Sequence, residues 1–134
     1  MTREAEVLMG LECAMDMIHD FHDKHGIWPC HDTEGHTHDH KTMLLRSHLI
    51  NEELAELMLA CYDNDRVKQA DAMADLLYVV LGTAVVLDLP LPELFLEVHR
   101  SNMTKTPSSD KRVRVKGEGY VPPDIARVLK ESGE

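Results

Sequence analysis

The sequence predicts an all-α fold: a helical bundle of four main helices plus a short C-terminal helix, with its core completed by oligomerisation. Three observations predict it. Apolar residues recur at three- and four-residue intervals along extended segments, the rhythm of one face of a helix. Aromatic residues make up only 4% of the chain while methionine occurs 8 times, which suits helix packing better than a sandwich of strands. Residues 49–87 form two helical patterns separated only by Asp63-Asn64-Asp65, so the two should fold back antiparallel across a short turn.

The first helix is expected from about Thr2 to His25, with Thr2 as N-cap, Glu4 and Glu6 in a favourable first turn, and Gly26 ending it. Leu8, Leu11, Met15, Ile18 and His22 keep a 3-4-3-4 spacing, the seam of a packed helix. Residues 27–41 read as a His-rich loop carrying Trp28, Cys30, His31, His36, His38 and His40. An HxHxH run alternates sides in an extended chain and lacks the paired short spacings of structural zinc sites, so a solvated, weakly metal-binding loop is expected.

The second helix should run from about Thr42 to Tyr62, its apolar side made of Leu45, Leu49, Leu54, Leu57, Met58 and Cys61. The third should run from about Asp65 to Leu87, with Met73, Leu77, Val80, Ala84 and Leu87 as one stripe and further apolar residues nearly all round. One short chain can hardly cover such a helix on every side. A homodimer or a dimer of dimers sharing this helix is therefore expected, with Gly82 permitting close approach. A fourth helix should start at Pro92 and Glu93 and end near Met103, with Leu94, Phe95, Val98 and Met103 inward. Residues 106–122 lose helical periodicity and form a basic arm with strand-like alternation. Asp124 then caps a last helix from Ile125 to about Lys130.

A chain of 134 residues with net charge −10 is one domain, 1–134, and repels rather than attracts nucleic acid or an anionic membrane. Cys13, Cys30 and Cys61 are odd in number and lie far apart, which suits a reducing compartment. Glu4, Glu6 and Glu12 interrupt any leader-like run, and the uncharged run at 76–87 is too short to span a bilayer. A cytoplasmic protein is expected.

The second and third helices carry carboxylates beside their apolar stripes. Glu52 and Glu56 at i,i+4, Glu53 and Glu56 at i,i+3, and Asp71 and Asp75 at i,i+4 each form an acidic ridge on one helix face. An antiparallel pairing can bring the ridges face to face. Four or five like charges so crowded either spread into solvent as an acidic face or hold hard cations such as Mg²⁺, with Mn²⁺ as substitute. For a single Glu the solvated face is the simpler reading. For the set, the position of Asp71 and Asp75 among Ala70, Ala72, Met73, Ala74, Leu76 and Leu77 favours a metal site.

The segment Glu52-Glu53-Leu54-Ala55-Glu56 resembles the EExxE motif of the MazG-like all-α nucleoside triphosphate pyrophosphohydrolases, a superfamily that includes phosphoribosyl-ATP pyrophosphohydrolase. Asp75 is similar to the aspartate of its second motif, ExxD, although the glutamate of that motif would fall at Ala72 and this chain has Asp71 instead. Phe21-His22, the DAMADLLYV phrase at 71–79, EVHRSNMTK at 97–105 and KGEGYVPPDI at 116–125 extend the likeness over nearly the whole chain. The resemblance implies assembly of the bundle across subunits and hydrolysis of a (d)NTP to (d)NMP and pyrophosphate. In that reading Glu53, Glu56, Asp71 and Asp75 hold Mg²⁺, and Glu52 completes the metal shell or orients the attacking water. The resemblance further assigns Asn102 and Lys105 to the phosphate chain, then Arg100 and Ser101, and last Lys116 and Tyr120. Lys111, Arg112 and Arg114 read as a solvated arm. Two alternatives stand beside this reading: a phosphoribosyl-ATP pyrophosphohydrolase, and a non-enzymatic metal-binding helical protein that would bind transition metals tightly without Mg²⁺-dependent activity.

Overall fold

The computed structural model describes residues 1–27, 40–110 and 112–133. Trp28, Cys30, His31, His36, His38 and Lys111 lie outside the described residues. Five helices and one short hairpin follow in order: α1 (Arg3–His25), α2 (His40–Tyr62), α3 (Arg66–Val86), α4 (Leu91–Asn102), β1 (Thr106–Pro107), β2 (Arg114–Val115) and α5 (Ile125–Glu131). The all-α expectation of four main helices plus a short C-terminal one is met. The chain packs as two compact units, residues 13–89 and residues 1–12 with 90–134.

Within residues 13–89 the helices end by a shared device. Gly26, Asn64 and Asp88 adopt left-handed backbone at φ 67°, 52° and 51°. After each, the next residue's N–H reaches back to a carbonyl five residues earlier: Ile27 to His22 at 2.8 Å, Asp65 to Ala60 at 3.0 Å, and Leu89 to Ala84 at 2.9 Å. These bonds satisfy carbonyls that a helix terminus otherwise leaves open. The turn from α2 to α3 is tightened further because the Asp65 side chain accepts from Lys68 N–H at 3.1 Å and so caps α3. Such a cap is worth about 1 kcal/mol. Gln69 Nε2 donates to Ala60 O at 3.3 Å near the turn, and Arg46 Nε donates to Thr83 Oγ1 at 3.1 Å at the far end. Bonds at those two places require α2 and α3 to run antiparallel.

The core of this unit mixes small residues with a few larger apolar ones. Ile18, Ala60, Ala72, Leu81, Ala84 and Val86 are buried, with Gly82, His22 and Arg46 among them. Of the seam expected on α1, Ile18 and His22 are buried and Met15 half-buried in this unit, and Leu8 and Leu11, which belong to the other unit, are half-buried too. The stripe expected on α3 is covered only in part by the described residues: Ala84 is buried and Leu87 half-buried, while Met73, Leu77 and Val80 are 55%, 56% and 36% exposed. On α2, Leu45, Leu54 and Met58 are exposed too. A unit with one partial and two full helices has too little surface to surround a helix that is apolar nearly all round. By length and composition α3 is long and apolar enough to cross a membrane, but Asp71 and Asp75 lie within it, and carboxylates are expensive in hydrocarbon.

In the other unit α4 corrects the sequence reading. Phe95, Val98 and Met103 are exposed and Leu94 is half-buried, while Pro92, Glu97 and Ser101 are buried. The inward face is chosen by Glu97. Its carboxylate accepts from Arg100 Nη2 at 2.7 Å and Nε at 3.0 Å, from Asp124 N–H at 2.7 Å and from Arg127 Nη2 at 3.2 Å. One carboxylate thus ties α4 to α5, whose N-terminus is capped by Asp124 accepting from Arg127 N–H at 3.0 Å. Ser101 Oγ donates to Val121 O at 2.8 Å and fixes the segment before α5. The strand-like arm is realised as a two-residue antiparallel ladder pairing Thr106 with Val115 and Pro107 with Arg114. Gly117 sits where a Cβ would collide with Thr106 Oγ1.

Hydrogen bonds from Arg100 and then from the Asp124 backbone hold the Glu97 carboxyl down to about 2. A depressed carboxyl pKa stabilises fully above the ordinary carboxylate range near 4.5 and loses that contribution as pH falls toward 2. Glu97→Gln is therefore expected to melt below the parent at pH 6, and the gap should narrow as the pH is taken from 5 to 3 in thermal melts followed by circular dichroism.

Candidate metal centre

The α2–α3 hairpin delivers what the acidic ridges foreshadow. Glu53 and Glu56 lie one turn apart on α2, and Asp75 faces them from α3, each offering a carboxylate oxygen such that all three lie within 4.8 Å of one another. Glu53 is half-buried, while Glu56 and Asp75 are exposed. The Glu53 Oε2 atom is buried and has no hydrogen-bond donor among the described residues. Burial first, and then the charges of Glu56, Asp75, Glu52 and Asp71, push the Glu53 carboxyl above its ordinary range. A carboxylate oxygen removed from water, given no donor and set against two further carboxylates, is a poor solvated face and a fitting donor set for a hard divalent cation.

The remaining ridge residues stand around these three. Asp71 is exposed and outside the cluster, acting on Glu53 only through its charge. Glu52 is turned toward His48, whose Nε2 lies 3.3 Å from Glu52 Oε1 across one turn of α2. Ala72 is buried at 4% exposure. Position 72 therefore faces inward, whereas Asp71 lies 100° away round the helix.

The basic residues named from the sequence all belong to the other unit. Arg100 is committed to Glu97 and also donates to Pro122 O at 3.1 Å, and the buried Ser101 bonds Val121 O. Asn102 is exposed at the end of α4, and the Lys105 N–H donates to its carbonyl at 3.1 Å. The Lys116 ammonium lies 5.4 Å from the centre of the Tyr120 ring, within cation–π range. Arg112 forms a two-point pair with Asp110 at 3.0 Å.

A family model described as phosphoribosyl-ATP pyrophosphohydrolase matches residues 19–102, well over half of the chain. The chain belongs to that family. The phosphoribosyl-ATP pyrophosphohydrolase family is part of the MazG-like all-α nucleoside triphosphate pyrophosphohydrolase superfamily, as the EExxE and DAMADLLYV phrases suggest. Membership implies an enzyme, a nucleotide pyrophosphohydrolase, rather than a passive metal-binding protein. No curated protein matches the chain. The matched range contains both ridges and ends at Asn102, so the KGEGYVPPDI phrase lies beyond it.

Two residues of the hairpin escaped the sequence reading. His48 precedes Glu52 by four residues, and that spacing was its only signal. Arg46 is buried at 7% exposure on the face of α2 that carries Glu53, signalled only by a lone cation seven residues before Glu53.

Because the pKa of Glu53 is raised, the ionised form costs the metal-free protein stability, and the cost grows as pH rises through and above the ordinary carboxylate range. In chelator at neutral pH, Glu53→Gln is expected to melt above the parent. Mg²⁺ or Mn²⁺ should raise the parent's melting temperature and leave that of the variant nearly unmoved, as followed by circular dichroism.

Proposed function

We propose that this protein is a Mg²⁺-dependent pyrophosphohydrolase that acts on phosphoribosyl-ATP and releases pyrophosphate. The observation that carries the proposal is the convergence of Glu53, Glu56 and Asp75 around an unpartnered Glu53 oxygen, in a chain whose family is described by that activity. The sequence reading placed general (d)NTP hydrolysis first and phosphoribosyl-ATP second; the family match reverses that order.

Glu53, Glu56 and Asp75 hold the cation, with Asp71 adding negative charge nearby. Bound there, Mg²⁺ or Mn²⁺ supplies a Lewis acid that acidifies water and offsets charge on the phosphates. Glu52, steadied by His48, orients the attacking water and accepts its proton. The water oxygen bonds to phosphorus, the phosphoanhydride P–O bond breaks, and pyrophosphate leaves with the bonding pair. No covalent nucleophile is needed. Asn102 and Lys105 bind phosphate oxygens. Arg100 and Ser101, held by Glu97 and Val121, fix the segment that carries them, and Lys116 with Tyr120 forms a further contact to the nucleotide. The enzyme works in the cytoplasm as a homodimer or dimer of dimers, in which a second copy covers the exposed Met73-Leu77-Val80 stripe of α3 and completes the core.

A second reading, hydrolysis of (d)NTPs, draws on the EVHRSNMTK and KGEGYVPPDI phrases, which run past the matched range, and on Asp71 in place of a second-motif glutamate. Pyrophosphate release measured over phosphoribosyl-ATP, the canonical (d)NTPs and damaged nucleotides with Mg²⁺ decides between them. Phosphoribosyl-ATP is expected to be cleaved at least about tenfold faster than ATP. A profile led by (d)NTPs would replace the first reading with the second.

Glu53→Gln and Asp75→Asn are each expected to cut turnover by about 100-fold or more, the size of loss seen when one charge-stabilising group is removed from an active site, with unchanged far-ultraviolet circular dichroism. Near-normal turnover in either variant sinks the metal-centre assignment. Light scattering of the purified protein should give two or four chains.

A further inference from the structure

The three carboxylates of the ridge repel one another, so the helices that present them need ties on either side of the ridge. Toward the turn, Gln69 Nε2 bonds Ala60 O. On the other side stands Arg46, two helical turns before Glu53 on α2. Its Nη2 donates to Val79 O at 3.1 Å and its Nε to Thr83 Oγ1 at 3.1 Å. Val79 and Thr83 follow Asp75 by one and two turns on α3. The guanidinium therefore grips α3 through groups aligned with Asp75, from a position on the same face of α2 as Glu53.

The surroundings of Arg46 are built for that grip. Gly82 leaves the space, since a Cβ there would stand 2.8 Å from Arg46 Nη2 and 3.2 Å from His22 Nε2. His22 is buried at 3% exposure, and its Nδ1 has no hydrogen-bond partner among the described residues. Burial, followed by the charge of Arg46, holds its pKa below the ordinary histidine range, so a second positive charge beside the same recess is disfavoured. No carboxylate among the described residues pairs with Arg46. A buried guanidinium without a counter-ion is a poor source of net stability, because desolvation of the charge offsets the bonds it makes. Replacing even a paired set of buried charges with apolar side chains of similar volume is often neutral or stabilising, and a guanidinium with no carboxylate partner has less attraction to lose. Stability alone is thus a weak reason for an arginine here.

We propose that Arg46 is a positioning residue for the metal centre: seated in the recess that Gly82 leaves, it sets the register of α2 on α3 that brings Glu53 and Asp75 within coordinating reach of one cation. This inference rests on the metal-centre reading above and adds a residue outside the ligand set. Loss of the grip lets the repelling ridge relax by sliding or splaying, which loosens the cation site without unfolding the helices. Supporting residues of this kind set metal affinity by about 10–100-fold.

The test is Mn²⁺ binding to the whole chain, measured by calorimetry or electron paramagnetic resonance on the parent, Arg46→Met and Thr83→Val. Helicity and melting temperature are recorded alongside. Arg46→Met should retain helicity and melt near or above the parent, yet bind Mn²⁺ at least about tenfold more weakly. Thr83→Val, which removes one acceptor of the grip and keeps the side-chain shape, should weaken Mn²⁺ binding by a smaller factor, about threefold, on the same scale. A purely structural Arg46 would shift the melting temperature and leave Mn²⁺ affinity in the folded protein unchanged. If the parent binds Mn²⁺ and the folded variants bind it within about twofold of the parent, the positioning role is overturned and the metal centre stands. If the parent itself does not bind Mn²⁺, both fall. Should Arg46→Met fail to fold, Thr83→Val decides by the same criterion.

Discussion

Mutual repulsion among Glu53, Glu56 and Asp75 is the constraint that the hairpin of α2 and α3 is built to withstand. Three carboxylates sharing a space under 5 Å across are a liability to any fold, and burial of one Glu53 oxygen without a donor enlarges it. The surrounding features answer that liability. Capped and closed helix ends fix the turn, the Gln69 and Arg46 ties bracket the ridge, and small residues let the two helices approach. A cation at the ridge would relieve the strain that these devices contain, so the cost of gathering the carboxylates and their affinity for a cation have the same origin.

The second unit solves a different problem with the opposite electrostatics. Glu97 is more deeply buried than Glu53, yet its carboxylate receives donors from Arg100, Arg127 and the Asp124 backbone. Two glutamates of one chain are thus pushed in opposite directions from the same starting pKa, Glu97 down by hydrogen bonding and Glu53 up by burial and like charge. The difference separates a carboxylate that holds helices together from one that is free to take a ligand.

Much of this was readable in the sequence because it is local. Helix spans follow from apolar spacing, the ends of α1 and α2 from Gly26 and from the Asp63-Asn64-Asp65 break, and the acidic ridges from intervals of three and four residues. The partnership of Glu53, Glu56 and Asp75 needed only the further step that a short turn folds two helices back on each other. What stayed hidden depends on contacts distant in sequence. The inward face of α4 looked like Leu94, Phe95 and Val98 by hydrophobicity. In the structure Glu97 and Ser101 take that face, because Arg127 and Val121, 30 and 20 residues away, supply their partners. Arg46 was equally opaque, since nothing in the residues around it announces a recess made by Gly82 on another helix. The stripes on α2 and α3 were read correctly as apolar, but the described residues of one copy cover them only in part.

The small residues at the heart of the hairpin set how this protein tolerates change. Ala60, Ala72 and Ala84 are all but inaccessible to solvent, and every replacement except glycine adds atoms. Cores built from leucine and phenylalanine most often fail by losing volume and opening voids. These three positions have little volume to lose and fail instead by swelling. Ala60 and Ala72 stand four and three residues from Glu56 and Asp75, so an added methyl group there presses on the turns that present the carboxylates, and substitutions that look harmless by hydrophobicity should damage chemistry before they damage folding.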